Sequence, residues 1–130
     1  MIDCAVVGDS IALGVGLQLH GCTVNAQVGA PSSEIIGRVE DAHVLVVSAG
    51  SNDAHNPELE HNIRTIRSKA HGHVVWIAPA DPKAAAVVQR VAYQHGDRVV
   101  HFKPREDNIH PRDYGQLAGK VQFAMRMPGV

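Results

Sequence analysis

The feature that most constrains this chain is a regular alternation. Five short apolar runs, at residues 4–7, 24–28, 44–47, 74–78 and 99–102, are separated by segments with helical spacing. The runs hold only four or five residues each and are rich in valine, which marks them as strands rather than buried helix segments. Between them, Leu59, Ile63, Ile66 and Ala70 fall on one helical face, as do Ala84, Val87, Val88 and Val91. A last helix follows Pro111, which suits a first turn, and carries the stripe Tyr114, Leu117, Ala118, Val121 and Met125. Residues 31–39, with Ser32 and Ser33 available as caps, and residues 10–19, despite Gly14 and Gly16, supply two more helices. Strands alternating with helices through right-handed crossovers predict a parallel sheet covered on both faces. The expected fold is a flavodoxin-like three-layer α/β/α sandwich with five parallel strands.

The 130 residues suit one domain spanning 1–130, and no linker, repeat or low-complexity segment divides them. A 45% hydrophobic content with only 4% aromatic residues describes an aliphatic core of the kind parallel strands build. Lys and Arg number 12 against 13 acidic residues, so no long-range field gathers polyanions. Nucleic acid and anionic membrane are therefore not expected partners, and the charge leaves the oligomeric state open. No apolar run approaches the roughly 20 residues that cross a bilayer, and no basic region precedes an apolar stretch at the N-terminus. A cytoplasmic location is expected, or secretion if a leader has been removed. Cys4 and Cys22 are expected to be two small buried apolar residues, with a disulfide between adjacent strands as the alternative.

In parallel sheets ligands bind outside the carboxyl ends of the strands, and here those ends are polar. Gly8-Asp9-Ser10 follows the first run, Gly29-Ala30-Pro31 the second, and Gly50-Ser51-Asn52-Asp53 the third. The loop after the fifth run holds Asp107 and His110. A serine where a strand passes into a helix turns its Oγ and its N–H toward the cleft, beside the positive end of the helix dipole. Taken alone, Ser10 also fits an N-cap. Asp107 and His110, three apart, can set a carboxylate against one imidazole nitrogen and leave the other facing the cleft, as a general base requires. Asn52 can donate to a developing oxyanion. Asp53 is expected to cap the helix that follows it. His55, near Asn52, reads as a surface residue.

These residues in this order resemble the SGNH hydrolase (GDSL-like) family. Gly8-Asp9-Ser10 with Gly14 matches its first block, Gly29 its second, Gly50-Ser51-Asn52-Asp53 its third and Asp107-Asn108-Ile109-His110-Pro111 its fifth. The resemblance implies acyl transfer without metal or cofactor. Ser10 would be the nucleophile, His110 the base and Asp107 its support, while Ser10, Gly29 and Asn52 would form the oxyanion hole. It further implies an esterase or deacetylase for short acyl esters, with acetylated carbohydrate as the substrate class. A catalytically silent binding module on the same fold, and a lipase or thioesterase for longer chains, are the rivals. A metal site drawn from the nine His residues finds no convincing spacing, His71-Gly-His73 being among the closest groupings. No Walker loop or Gly-x-Gly-x-x-Gly is present to bind a nucleotide.

Overall fold

A computed structural model describes residues 1–126. Five strands, β1 (Ile2–Gly8), β2 (Thr23–Ala26), β3 (Ala42–Ser48), β4 (His73–Ile77) and β5 (Arg98–Val100), pair in the order β2-β1-β3-β4-β5. Every pairing is parallel. The helices are α1 (Ser10–Gly16), α2 (Ser32–Ile35), α3 (Leu59–Lys69), α4 (Pro82–His95) and α5 (Tyr114–Arg126), and a 3-10 turn at Ile36–Arg38 extends α2.

The valine-rich runs are continuous because both faces of the sheet are covered. Alternate residues go to opposite sides. Ala5, Val7, Leu45, Val47, Val74 and Trp76 pack with Ile35, Ile63, Ile66, Val88 and Val91 of α2, α3 and α4. Val6, Val46, Val75 and Ile77 pack with Ile11, Val15, Leu117 and Val121 of α1 and α5. The expected flavodoxin-like sandwich is the observed architecture. Chain direction across the sheet reverses between β1 and β3, and the crevice at such a switch point is where parallel sheets bind ligands. Ser10 follows β1 and Asn52 follows β3, so both lie at that crevice's edge.

Several local expectations need correction. Helix α1 stops at Gly16 rather than reaching residue 19, and residues 31–39 divide into four α-helical residues and a 3-10 turn. Ala70 is the C-cap of α3, one position past its last helical residue. Pro111 does not begin the last helix. It forms an antiparallel bridge with Pro104, and α5 starts three residues later, where the Asp113 carboxylate accepts from the Gln116 amide at 2.9 Å. The reading of Cys4 and Cys22 as unpaired is also overturned: they form a disulfide, with Cα atoms 4.6 Å apart. The register that sets Ala5 beside Thr23 brings Cys4 next to Cys22, and a separation of 18 residues says nothing of this until β1 and β2 are known to be parallel neighbours. Closing a loop of that length stabilises a fold by about 3 kcal/mol in the chain-entropy account.

Candidate active site

At the β1–α1 junction the chain passes so close to β3 that a Cβ on Gly8 would collide with the Ser48 carbonyl oxygen. Gly8 also holds a φ of +142°, which glycine accepts most readily. The Asp9 amide donates to that same carbonyl at 3.3 Å. Asp9 is the N-cap of α1, its Oδ1 accepting from the amides of Ile11 at 3.1 Å and Ala12 at 3.4 Å. It is fully buried, with the Ser48 side chain beside its carboxylate. Burial pushes its pKa from 3.8 up to about 6, against the pull of the Ser48 side chain and then of the Ala12 and Ile11 amides. The sequence reading used Asp9 only as part of a motif, although an Asp immediately before a helix is a signal for a cap. Ser10 is the first residue of α1, half-buried, and among the described residues its amide donates to no protein acceptor.

The Ser10 hydroxyl lies 3.0 Å from His110 Nε2, across 100 residues of sequence. The other ring nitrogen, Nδ1, is 2.7 Å from Asp107 Oδ2. Asp107 Oδ1 accepts from the amides of Ile109 at 2.9 Å and His110 at 3.0 Å, so the carboxylate organises its own loop. The His110 hydrogen bond, followed by those two amides, pulls the Asp107 pKa from 3.8 down to about 2. The His110 and Asp107 side chains are 35% and 43% exposed, so water reaches the relay directly.

The loop at 104–111 is stapled across its base. Arg105 donates from its amide to the His110 carbonyl at 2.7 Å and from Nε to the Pro111 carbonyl at 2.9 Å. Arg112 Nε donates to the Pro104 carbonyl at 3.0 Å. The Arg105 guanidinium sits 5.9 Å from the centre of the Tyr114 ring, and that ring packs so tightly on α1 that a Cβ at Gly14 would overlap it. Gly14, noted as part of the first block, is therefore the space that lets α5 and the relay loop approach the helix bearing Ser10.

Gly29 lies in the turn after β2, with a φ of +79° and open space where a Cβ would stand. The turn is tied to β1 by the Gln27 amide donating to the Gly8 carbonyl at 3.0 Å. Asn52 Nδ2 donates to the Ala30 carbonyl at 3.1 Å, which joins the third-strand loop to the Gly29 turn and commits one of the two amide protons. Asp53 caps a helix, though not the one that follows it. Its Oδ1 accepts from the Ser32 amide at the start of α2 at 3.1 Å, and its Oδ2 accepts from Ser32 Oγ at 2.5 Å and Asn56 Nδ2 at 3.1 Å. Asn62 of α3 donates to Ser32 Oγ at 3.0 Å, and Ser32 and Asn62 are both buried. This network was missed, because only the fold brings α2, α3 and the Asn52 loop together. His55 is exposed, 3.3 Å from Asp81 Oδ2, in keeping with a surface role. Among the described residues no three His, Cys, Asp or Glu side chains gather as a metal site, and His71 is paired with Asp41 at 2.5 Å.

No family model and no curated protein matches this chain. Its fold is similar to a solved structure of the C-terminal catalytic domain of Streptococcus pneumoniae peptidoglycan O-acetyltransferase A with a methylsulfonyl adduct. The two superpose with a TM-score of 0.67, covering 96% of this chain and 93% of that one, at 15% sequence identity. At that identity the likeness establishes architecture: this chain is built on the same parallel α/β/α fold as that catalytic domain.

Proposed function

We propose that this protein is a serine esterase or deacetylase of the SGNH type that hydrolyses short-chain esters, acetyl esters of carbohydrate foremost, through an acyl-enzyme on Ser10. The observation that carries this reading is the continuous chain from Ser10 Oγ to His110 to Asp107, at 3.0 and 2.7 Å. His110 Nε2 takes the Ser10 proton as Oγ forms a bond to the ester carbonyl carbon, and charge moves to the carbonyl oxygen. The Ser10 and Gly29 amides and the remaining Asn52 amide proton are the donors for that oxyanion. As the intermediate collapses, the C–O bond to the alcohol breaks and His110 returns the proton to the leaving oxygen. A water then attacks the acyl carbon, gives its proton to His110, and Ser10 is released with its own proton restored.

Exposure of the relay supports water as the second acceptor. The second reading is transfer of the acetyl group to another hydroxyl, favoured by the fold likeness to an O-acetyltransferase domain. Both readings share the acyl-enzyme and differ only in the acceptor. A silent binding module sits poorly with an intact hydrogen-bonded relay. A lipase or thioesterase acting on longer acyl chains is the remaining rival, and the acyl-chain series below separates it from this reading. The Cys4–Cys22 disulfide supports an oxidising compartment in place of the cytoplasm. Among the described residues no helix is long and apolar enough to cross a membrane. In this reading the chain works as one domain on a small-molecule ester.

The test is hydrolysis of an aryl acetate by wild type and by Ser10→Ala, with folding checked by circular dichroism. The variant is expected to fold and to lose turnover about 10⁴-fold or more. Equal rates would remove Ser10 from the reaction. Product analysis with a saccharide acceptor present separates free acetate from an acetylated saccharide. A series of acyl chains should give the highest kcat/KM for acetyl to butyryl esters and a steep fall by octanoyl.

A further inference from the structure

In the hydrolase reading above, three donors must converge on one oxygen, each about 2.7–3.1 Å from where the oxyanion forms. Ser10 brings its amide on α1, while Gly29 and Asn52 come from the loops after β2 and β3. Those two strands are not neighbours, because β1 lies between them in the order β2-β1-β3. Sheet pairing therefore does not set one loop against the other, and contacts across the end of β1 must do so. A misplacement of about 1 Å in such a site costs on the order of 10²-fold in rate.

The two loops are held unequally. The Gly29 turn is tied to β1 by the Gln27 amide on the Gly8 carbonyl at 3.0 Å and closed by the Ala30 amide on the Gln27 carbonyl at 3.2 Å. Asn52 is exposed, and the backbone bond beside it, from the Asn56 amide to the Asp53 carbonyl at 3.0 Å, closes its loop only on itself. Its side chain reaches the Ala30 carbonyl at 3.1 Å, a single bond about which an amide can pivot. The adjacent residue makes the firmer attachment. Asp53 Oδ1 accepts from the Ser32 amide at 3.1 Å and Oδ2 from Ser32 Oγ at 2.5 Å. Asn52 and Asp53 thus grip residues 30 and 32 on either side of Pro31, whose ring fixes φ near the observed −77°.

The Asp53 grip is also more than a helix cap. One bond to an amide satisfies a cap, and α2 has only four α-helical residues to stabilise. Here Asn62 of α3 donates to Ser32 Oγ at 3.0 Å, which directs the hydroxyl proton to Asp53, and Asn56 Nδ2 donates to Asp53 Oδ2 at 3.1 Å. Ser32 and Asn62 are buried, and a satisfied polar network away from water specifies one arrangement of its members.

We propose that Asp53 is a positioning residue of the oxyanion hole: by holding Ser32 it carries the exposed Asn52 to the Gly29 turn and aims the free amide proton of Asn52 at the oxyanion. The inference rests on the hydrolase reading and adds to it the residue that assembles two of its donors.

The experiment measures aryl acetate hydrolysis by Asp53→Asn in two backgrounds, wild type and Asn52→Ala. An asparagine keeps an acceptor for the Ser32 amide but turns its NH2 toward that of Asn56. In the wild-type background kcat is expected to fall about 30-fold, with KM within about twofold. In the Asn52→Ala background the same exchange should cost less than about fivefold, since a donor already removed cannot be misplaced. Thermal melts should show the same change in Tm in both. Ser32→Ala keeps the main-chain bond to Asp53 and deletes the hydroxyl; it should lower kcat about tenfold, and takes the place of Asp53→Asn if that variant does not fold. NMR of either variant should shift the Asn52 side-chain amide and leave the Ser10 and His110 backbone amides in place. An unchanged kcat, or an equal loss in both backgrounds as a cap alone would give, would overturn the inference and leave the hydrolase reading standing. No turnover by wild type would instead sink the hydrolase reading, and the Asn52 side-chain signals, shifted or unmoved, would then support or overturn its placement by Asp53.

Discussion

The two sides of the Ser10 hydroxyl are built on opposite principles. At the β1–α1 junction, Asp9 is fully buried, receives hydrogen bonds of 3.1 and 3.4 Å from two amides beside the Ser48 side chain, and is pushed up to about 6. Across the crevice Asp107 is exposed, receives three hydrogen bonds of 2.7 to 3.0 Å, and is pulled down to about 2. Burial with few donors disfavours charge, whereas donors at a wet surface favour it. The buried carboxylate caps and fixes the helix that carries Ser10, the proposed nucleophile. The exposed one holds His110, the proposed base. The same residue type thus serves scaffold and relay, and the difference lies in what surrounds each carboxylate.

The sharpest way to break this comparison is the same exchange at both sites. Asp107→Asn is expected to lower kcat about 10³–10⁴-fold, because an amide no longer favours the imidazole proton on Nδ1 or the charged form of His110. Asp9→Asn should cost less than tenfold. Steady-state kinetics decides, and similar losses at the two sites would end the division between scaffold and relay. Asn52→Ala comes next, at about 10²–10³ in kcat, the scale for one oxyanion donor. A loss under threefold would leave its amide the structural task of joining the Ala30 turn.

Stability against pH sharpens the same contrast. Because the Asp9 pKa is raised on folding, ionising it is penalised in the native state. Its contribution to stability is greatest below about pH 4, falls as pH rises toward 6 and is level above that. The rise from 3.8 to about 6 corresponds to roughly 3 kcal/mol. Asp9→Asn keeps the cap and should be more stable than wild type at pH 7 by up to that amount in urea melts, with the difference vanishing near pH 4. A variant less stable at every pH would show that the carboxylate is not disfavoured there. Asp107 has the opposite sign: its contribution is present above 3.8 and is lost as pH falls through about 2. The smallest expected effect belongs to Arg105→Ala. Loss of one hydrogen bond and one ring contact, about 1 kcal/mol, should lower kcat about fivefold.

What the sequence disclosed and what it hid divide along similar lines. The strands and their buried faces were legible because valine runs and helical stripes are local patterns. Ser10 stood out because it lies just past a strand end, where a parallel sheet exposes side chains, and Asp107 and His110 because they stand three apart in the loop after the last strand. The Cys4–Cys22 bond, the cap that Asp53 gives to α2 and the bridge between Pro104 and Pro111 depend on register and on distant packing, which no local pattern carries. Gly14 was visible as a motif residue, but its reason, the Tyr114 ring, lies on another helix.

The central claim is that Ser10 is a nucleophile made reactive by His110. The most direct measurement is labelling of the folded protein with a serine-directed sulfonyl fluoride, followed by peptide mass spectrometry and the labelling rate. The account predicts a single adduct on the Ser10 peptide, formed about 10³-fold or more slowly in His110→Ala and lost in urea-unfolded protein. An adduct on another hydroxyl with Ser10 unmodified, or labelling of Ser10 at an unchanged rate without His110, would contradict it.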